Sequence, residues 1–256
     1  MLVAQEPRVL AIIPARFAST RLPGKMIATL AGKPLVLHTY ERACLSTLVT
    51  ETIIAADDQR ILDALAPYGA KAVLTDPAHQ TGTDRIAEVA AKQDADIIVN
   101  VQGDEPLIDP HTIDAAIQPM LEDPALAMAT ARHPITARER IQDPNVVKVV
   151  CDQHGRALYF SRAPIPVVRD GADQETSEII HWQHIGLYVY RRNFLLEFAQ
   201  LPQTPLEKLE KLEQLRALEN GHSIAVVNTE YEAVGVDSPE DLERVAAIFN
   251  AKKQEG

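Results

Sequence analysis

The sequence has 256 residues, 46% of them hydrophobic and 24% charged, the balance of an ordinary globular chain long enough to bury a sizeable core. A formal net charge of -11 argues against non-specific binding of nucleic acid. No run of about 18 apolar residues suits a membrane helix, Met1 to Pro7 lacks the basic-then-apolar order of a secretory signal, and Cys44 and Cys151 are too few for a disulfide framework, so a cytoplasmic protein with buried thiols is expected.

In chain order, the first half alternates β-branched runs with helical patterns. RVLAII (8–13) predicts a strand, Pro34 to Thr47 a helix, ETIIAA (51–56) a strand and Gln59 to Tyr68 a helix. AKAVLT (70–75), Asp84 to Lys92, ADIIVNV (95–101) and Thr112 to Leu121 repeat the pair twice more. Strand followed by helix four times predicts an α/β fold wound on a parallel sheet. The second half offers strands at 145–152, 157–161, 184–190 and 223–228 with fewer helices between them, which predicts a mixed, mostly parallel sheet flanked by helices and an inserted substrate-binding portion. Pro205 to Glu219 predicts one helix, although its leucines at 206, 209, 212, 215 and 218 recur every three residues and cannot stay on one face.

Charge is unevenly spread. Between Arg8 and Arg42 stand six basic residues against the single acid Glu41, so a small anionic ligand is expected there. Behind the first strand, Pro14, Ala15, Arg16, Phe17, Ala18, Ser19, Thr20, Arg21, Leu22, Pro23, Gly24 and Lys25 form a loop with three cations, two hydroxyls and a glycine. Arginine forks, a lysine point charge and close backbone approach at Gly24 suit a polyphosphate. Met26 follows Gly24-Lys25 where a Walker A loop needs Ser or Thr, and no G-x-G-x-x-G follows a strand, so P-loop ATPase and dehydrogenase readings lose their support.

Asn100 to Pro106 ends the fourth strand, and Asp109-Pro110 caps the next helix, which leaves Asp104 and Glu105 in the crevice loop where open α/β sheets bind ligands. Carboxylates there suggest a Mg²⁺ site. Near the C-terminus Pro239 favours the first helical position, making Ser238 the cap and Asp241 its capping-box partner. Asp237 is then free of capping and is the candidate second metal carboxylate. His181 and His184 are three apart in a strand, hence on opposite faces and unsuited to a shared zinc. Alternation puts His184, Gly186, Tyr188 and Tyr190 on one face, which could line a polyhydroxylated pocket.

Together these segments resemble the 3-deoxy-manno-octulosonate (KDO) cytidylyltransferases. The resemblance rests on IPARFASTRLPGK (13–25), HQTGTDRIAEV (79–89), VNVQGDEPLI (99–108), YFSRAPIP (159–166), HIGLYVYR (184–191), LEQLR (212–216) and GVDSPEDLERV (235–245) in family order. It implies a Rossmann-like nucleotide-diphospho-sugar transferase fold that forms a single domain over 1–256, with a nucleotide-binding part at roughly 8–130 and 222–256 and a sugar-binding and dimerisation part at roughly 131–221. It further implies a homodimer that makes CMP-KDO and pyrophosphate from CTP and KDO for lipopolysaccharide synthesis. By motif, Pro14, Ala15, Arg16, Ser19, Arg21, Lys25, Thr81, Gly82, Gln102 and Gly103 would bind the nucleotide, with Arg16 and Lys25 also acting in catalysis. Asp104 and Asp237 would hold Mg²⁺, and Arg162, His184, Tyr188, Glu213 and Gln214 would surround the sugar acid. Ala56, Thr81 and Asp84 depart from the Thr, Ser and Glu of the family pattern, which leaves 8-amino-KDO open as the sugar. A sialic acid cytidylyltransferase is a rival whose basic loop would read differently, and a catalytically silent nucleotide-binding protein is a rival of another class.

Overall fold

The computed structural model describes residues 7–19, 21–169 and 181–254; Thr20, one of the two loop hydroxyls, lies outside them. Strand β1 (Val9–Ala15) is buried at all seven positions. Its unbroken apolar run matches a strand covered on both faces, as a parallel sheet requires. A short hairpin, β2 (Thr29–Leu30) and β3 (Lys33–Pro34), leads into α1 (Leu35–Ala43). Then follow β4 (Glu51–Ala56), α2 (Gln59–Leu65), β5 (Ala72–Leu74), α3 (Gly82–Ala91), β6 (Ile97–Asn100) and α4 (Pro110–Glu122). Residues 70–75 keep only three in the strand, and α1 stops at Ala43, short of Thr47.

Contacts divide the chain into two compact units: Met1–Asp114 with Ala233–Gly256, and Ala115–Glu232. The parts expected from the family resemblance divide instead near residues 130 and 222.

In the first unit β6, β1, β4 and β5 pair in that order, all parallel. The chain leaves β1 for β4 on one side and later returns to β6 on the other. Strand order therefore reverses at β1, and the crevice above the carboxyl ends of β1 and β6 is where such sheets bind ligands. The register Ile12 opposite Asn100 brings the loop after each strand to that crevice. Helix α9 (Pro239–Gln254) returns the C-terminus here, held by Val236 and Val245 packed with Leu30 and Leu35, and by Phe249 against the His38 ring.

The second unit contains β7 (Met128–Pro134), α5 (Arg138–Gln142), β8 (Lys148–Cys151), β9 (Ala157–Ser161), β10 (Trp182–Arg191), α6 (Arg192–Phe198), α7 (Pro205–Glu210), α8 (Gln214–Glu219) and β11 (Ile224–Asn228). β11 runs parallel to β7, while β7 with β10, β10 with β8 and β8 with β9 are antiparallel. A bulge between Ile185 and Tyr188 interrupts the pairing of β10 with β7, yet His184, Tyr188 and Tyr190 keep successive ring contacts of 5.3 and 6.1 Å.

The single helix expected over Pro205 to Glu219 is two. Lys211 turns left-handed at φ 54° and splits it. A straight helix carrying leucines every three residues would leave some facing water. The break lets Leu212 and Leu215 go inside while Leu209 stays 80% exposed. It also closes α7 on α8 through a buried ion pair in which Arg216 Nη2 and Nε meet the Glu207 carboxylate at 2.5 and 2.9 Å. Among the described residues no helix is long and apolar enough to cross a membrane.

Candidate active site

The loop after β1 folds on itself. Gly24 adopts φ 69°, a left-handed conformation natural to glycine, and its N–H donates to the Phe17 carbonyl at 3.2 Å. The Phe17 N–H donates to Asp57 Oδ1 at 2.8 Å, which pins the loop to the end of β4. Behind Asp57 lies Arg85, fully buried, with its nearest guanidinium nitrogen 3.7 Å from the other carboxylate oxygen. Lys25 is drawn inward by these turns.

Asp104 stands in the loop after β6. Its carbonyl accepts the Val236 N–H at 2.9 Å, which ties the C-terminal segment beside it. Ser238 and Asp241 exchange the two capping bonds, Ser238 N–H to Asp241 Oδ2 at 3.1 Å and Asp241 N–H to Ser238 Oγ at 3.2 Å. The Asp237 side chain is left free of the cap and turns to the cations. Lys25 Nζ donates to Asp104 Oδ2 at 2.7 Å and to Asp237 Oδ1 at 2.9 Å, while Arg21 meets Asp237 Oδ2 at 3.0 Å. Burial alone would lower the Lys25 pKa, but Asp104 and Asp237 outweigh it and hold the ammonium above its ordinary range. Burial would likewise raise Asp237, yet Lys25 and Arg21 keep it below the usual carboxylate range.

These groups line an open cavity of about 410 Å³ with Pro14, Arg16, Ser19, Gly82, Gln102 and Gly103. Gly103 is needed for its absence of bulk, since a Cβ there would sit 2.9 Å from the Pro14 carbonyl. Ala15 and Thr81 do not line the cavity: Ala15 is wholly buried, and the Thr81 hydroxyl accepts the Asp84 N–H at 3.0 Å as the cap of α3. Asp84 returns the bond to the Thr81 N–H at 3.1 Å, so the Thr-Asp pair forms a complete capping box.

In the second unit Tyr188 donates to Gln214 Oε1 at 3.1 Å, and the His184 and Tyr188 rings touch. Gln214 is 2% exposed and its Nε2 has no partner among the described residues, a donor left for an incoming acceptor. Thr130 Oγ1 lies 2.7 Å from the Leu187 carbonyl and 3.1 Å from that of Ile185, which claim its one proton. It therefore accepts from His184 Nε2 at 3.0 Å, leaving Nδ1 as an acceptor. Burial pushes the pKa of His184 down to about 3, so the ring is neutral. Glu213 sits 3.2 Å from Arg216. The Arg162 guanidinium donates to the Glu210 and Pro144 carbonyls at 2.7 and 2.9 Å, at the end of α7.

The family pattern described as cytidylyltransferase matches residues 10–224. A 3-deoxy-manno-octulosonate cytidylyltransferase of Solibacter usitatus is 53% identical over 97% of this chain and 97% of its own. One from Trichlorobacter lovleyi is 54% identical over 93% and 96%. The chain belongs to the cytidylyltransferase family. A solved CMP:2-keto-3-deoxy-manno-octonic acid synthetase complexed with CTP superposes with a TM-score of 0.90 at 41% identity, covering 96% of this cytidylyltransferase and 99% of that chain. A 4-diphosphocytidyl-2C-methyl-D-erythritol synthase from Anaerococcus prevotii, at 13% identity and TM-score 0.62, shares the fold.

Among the described residues of this cytidylyltransferase, Asp104 and Asp237 form a carboxylate pair that could hold a metal. Among the described residues no cluster of three or more His, Cys, Asp or Glu is built to bind an ion alone. A pair of hard carboxylates converging on one cation fits Mg²⁺, which uses one or two carboxylates, waters and phosphate oxygens. Sequence reasoning passed over Asp57, Thr130, Glu210 and Lys148. Lys148 is fully buried and donates to the carbonyls of Asp143, Val146 and Arg162 at 3.0, 2.7 and 2.6 Å. An apolar run interrupted by a lone lysine, NVVKVV, was the one available signal.

Proposed function

We propose that this cytidylyltransferase transfers CMP from CTP to KDO, releasing pyrophosphate. The observation that carries the reading is Lys25 joined to two carboxylates from distant parts of the chain, at the crevice where the strand order reverses. The KDO assignment is supported by relatives of that name at 53% and 54% identity over nearly the full length of both chains. In the reaction the anomeric hydroxyl oxygen of the sugar acid bonds to the α-phosphorus, its proton is lost, and the bond from that phosphorus to the bridging oxygen breaks. Arg16, Arg21 and Lys25 bind the phosphates and offset the charge that builds on the departing pyrophosphate. Gln102 lies on the cavity wall to meet the base. Asp104 and Asp237 would hold Mg²⁺, which would supply charge neutralisation and lower the pKa of the attacking hydroxyl. Gln214 Nε2, Tyr188 and His184 Nδ1 offer a donor and acceptors to a hydroxylated acid, which Arg162 and Glu213 would help to surround.

The same reading makes the protein a cytoplasmic homodimer serving lipopolysaccharide synthesis. Exposed Leu158 and Leu209 in the second unit, 62% and 80% accessible, supply apolar surface for self-association. The test is pyrophosphate release with CTP and KDO, 8-amino-KDO or sialic acid in turn, and with UTP or ATP replacing CTP. Release with CTP and KDO is expected to exceed every other pairing, and preference for 8-amino-KDO or silence with all sugars would refute the assignment.

A further inference from the structure

Lys25 is 7% exposed, and its ammonium makes a charge-assisted hydrogen bond to each of the two carboxylates. Asp237 has both oxygens engaged by cations, Oδ1 by Lys25 and Oδ2 by Arg21. A divalent ion bound to this pair would face an ammonium at contact distance, so Lys25 must leave before the ion settles. By itself that departure breaks two strong bonds and returns nothing to the lysine. A triphosphate changes the balance, because it offers new anionic partners to Lys25 and Arg21 together.

We propose that Lys25 acts as a latch on the Asp104–Asp237 pair: it holds the carboxylates together in the free protein and releases them to a divalent cation only when a nucleoside triphosphate draws it and Arg21 away. This rests on reading that pair as the metal ligands. Metal and nucleotide then enter as a unit, and metal alone binds poorly.

The test is Mn²⁺ binding to the nucleotide-free protein, followed through the free-ion signal in electron paramagnetic resonance. Lys25→Met keeps much of the length but loses the charge, and is expected to bind Mn²⁺ at least about tenfold more tightly than the unaltered protein. Lys25→Arg keeps the cation and should stay like the unaltered protein, while adding Asp104→Asn to Lys25→Met should abolish the gain. Equal Mn²⁺ affinity with and without the lysine charge, lost in both when Asp104 is changed, overturns the latch while leaving the metal pair standing. No gain in Lys25→Met, together with unchanged metal binding by CTP-loaded Asp104→Asn, overturns the metal reading itself. Should Lys25→Met fail to fold, the Lys25 ¹⁵N-ammonium resonance of the unaltered protein decides. It should stay in place with Mg²⁺ alone and move with Mg²⁺ and CTP, and movement with Mg²⁺ alone contradicts the latch.

Discussion

At the scale of single residues, the site depends on charges that cannot be spared one at a time. Lys25 is shared by Asp104 and Asp237, so removing either carboxylate takes one of two partners from a buried ammonium as well as a proposed metal ligand. Asp104→Ala is expected to lower turnover about a hundredfold or more, read as pyrophosphate release, with the folded circular dichroism spectrum retained. His184 gives a second expectation. Its folded pKa of about 3 lies below the ordinary 6.5, so the unfolded chain binds the extra proton first as pH falls. Stability is untouched by this group above pH 6.5 and declines below it toward pH 3. The urea midpoint should therefore fall between pH 6.5 and 5, and less so in His184→Asn; equal slopes in that window would mean that the ring protonates in place. Its ring resonances should not titrate over the same range.

At the scale of elements, cap chemistry decides which carboxylate serves the site. Ser238 and Asp241 take the helix end, and Asp237 next door is left to the cations. Ser238→Ala should cost about 1 kcal/mol in denaturant unfolding and should also loosen Asp237, so a stability loss without any rise in KM for CTP would separate the two roles. This spacing was legible in the sequence because proline and serine have fixed preferences at a helix start. So were the buried strands β1 and β4, whose apolar runs leave little choice. The break at Lys211 was not legible, since a lysine in left-handed backbone carries no local signal and the split is driven by burial of Leu212, Leu215 and the Glu207–Arg216 pair. β7 was missed for a related reason. Its run MATARHP is short of β-branched residues, and pairing with β10 and β11 makes it a strand. The candidate nucleotide residues in the loop after β1 were readable as a cationic loop, and Thr81-x-x-Asp84 carried the same cap spacing as Ser238-x-x-Asp241, but the commitment of the Arg162 guanidinium to carbonyls appears only in three dimensions.

At the scale of the whole molecule, no cluster of metal-binding side chains among the described residues is sufficient alone, so the proposed cation depends on the nucleotide to complete its shell. Chelation should abolish pyrophosphate release and Mg²⁺ should restore it, whereas the unfolding midpoint without nucleotide should not move. A chelator-sensitive midpoint would point to a structural ion instead.

The first unit also draws its two carboxylates from either side of the second unit in the sequence. Asp104 precedes the whole second unit, and Asp237 follows it, along with Val236 and Val245 that pack under Leu30 and Leu35. At about 5–20 residues per second, a ribosome leaves an interval on the order of ten seconds between them. During that interval the nascent cationic loop has one carboxylate partner and an uncovered apolar floor. A message broken just before Val236 thus yields a product without the second carboxylate, and rescue would require a separate peptide that carries Val236, Asp237 and α9.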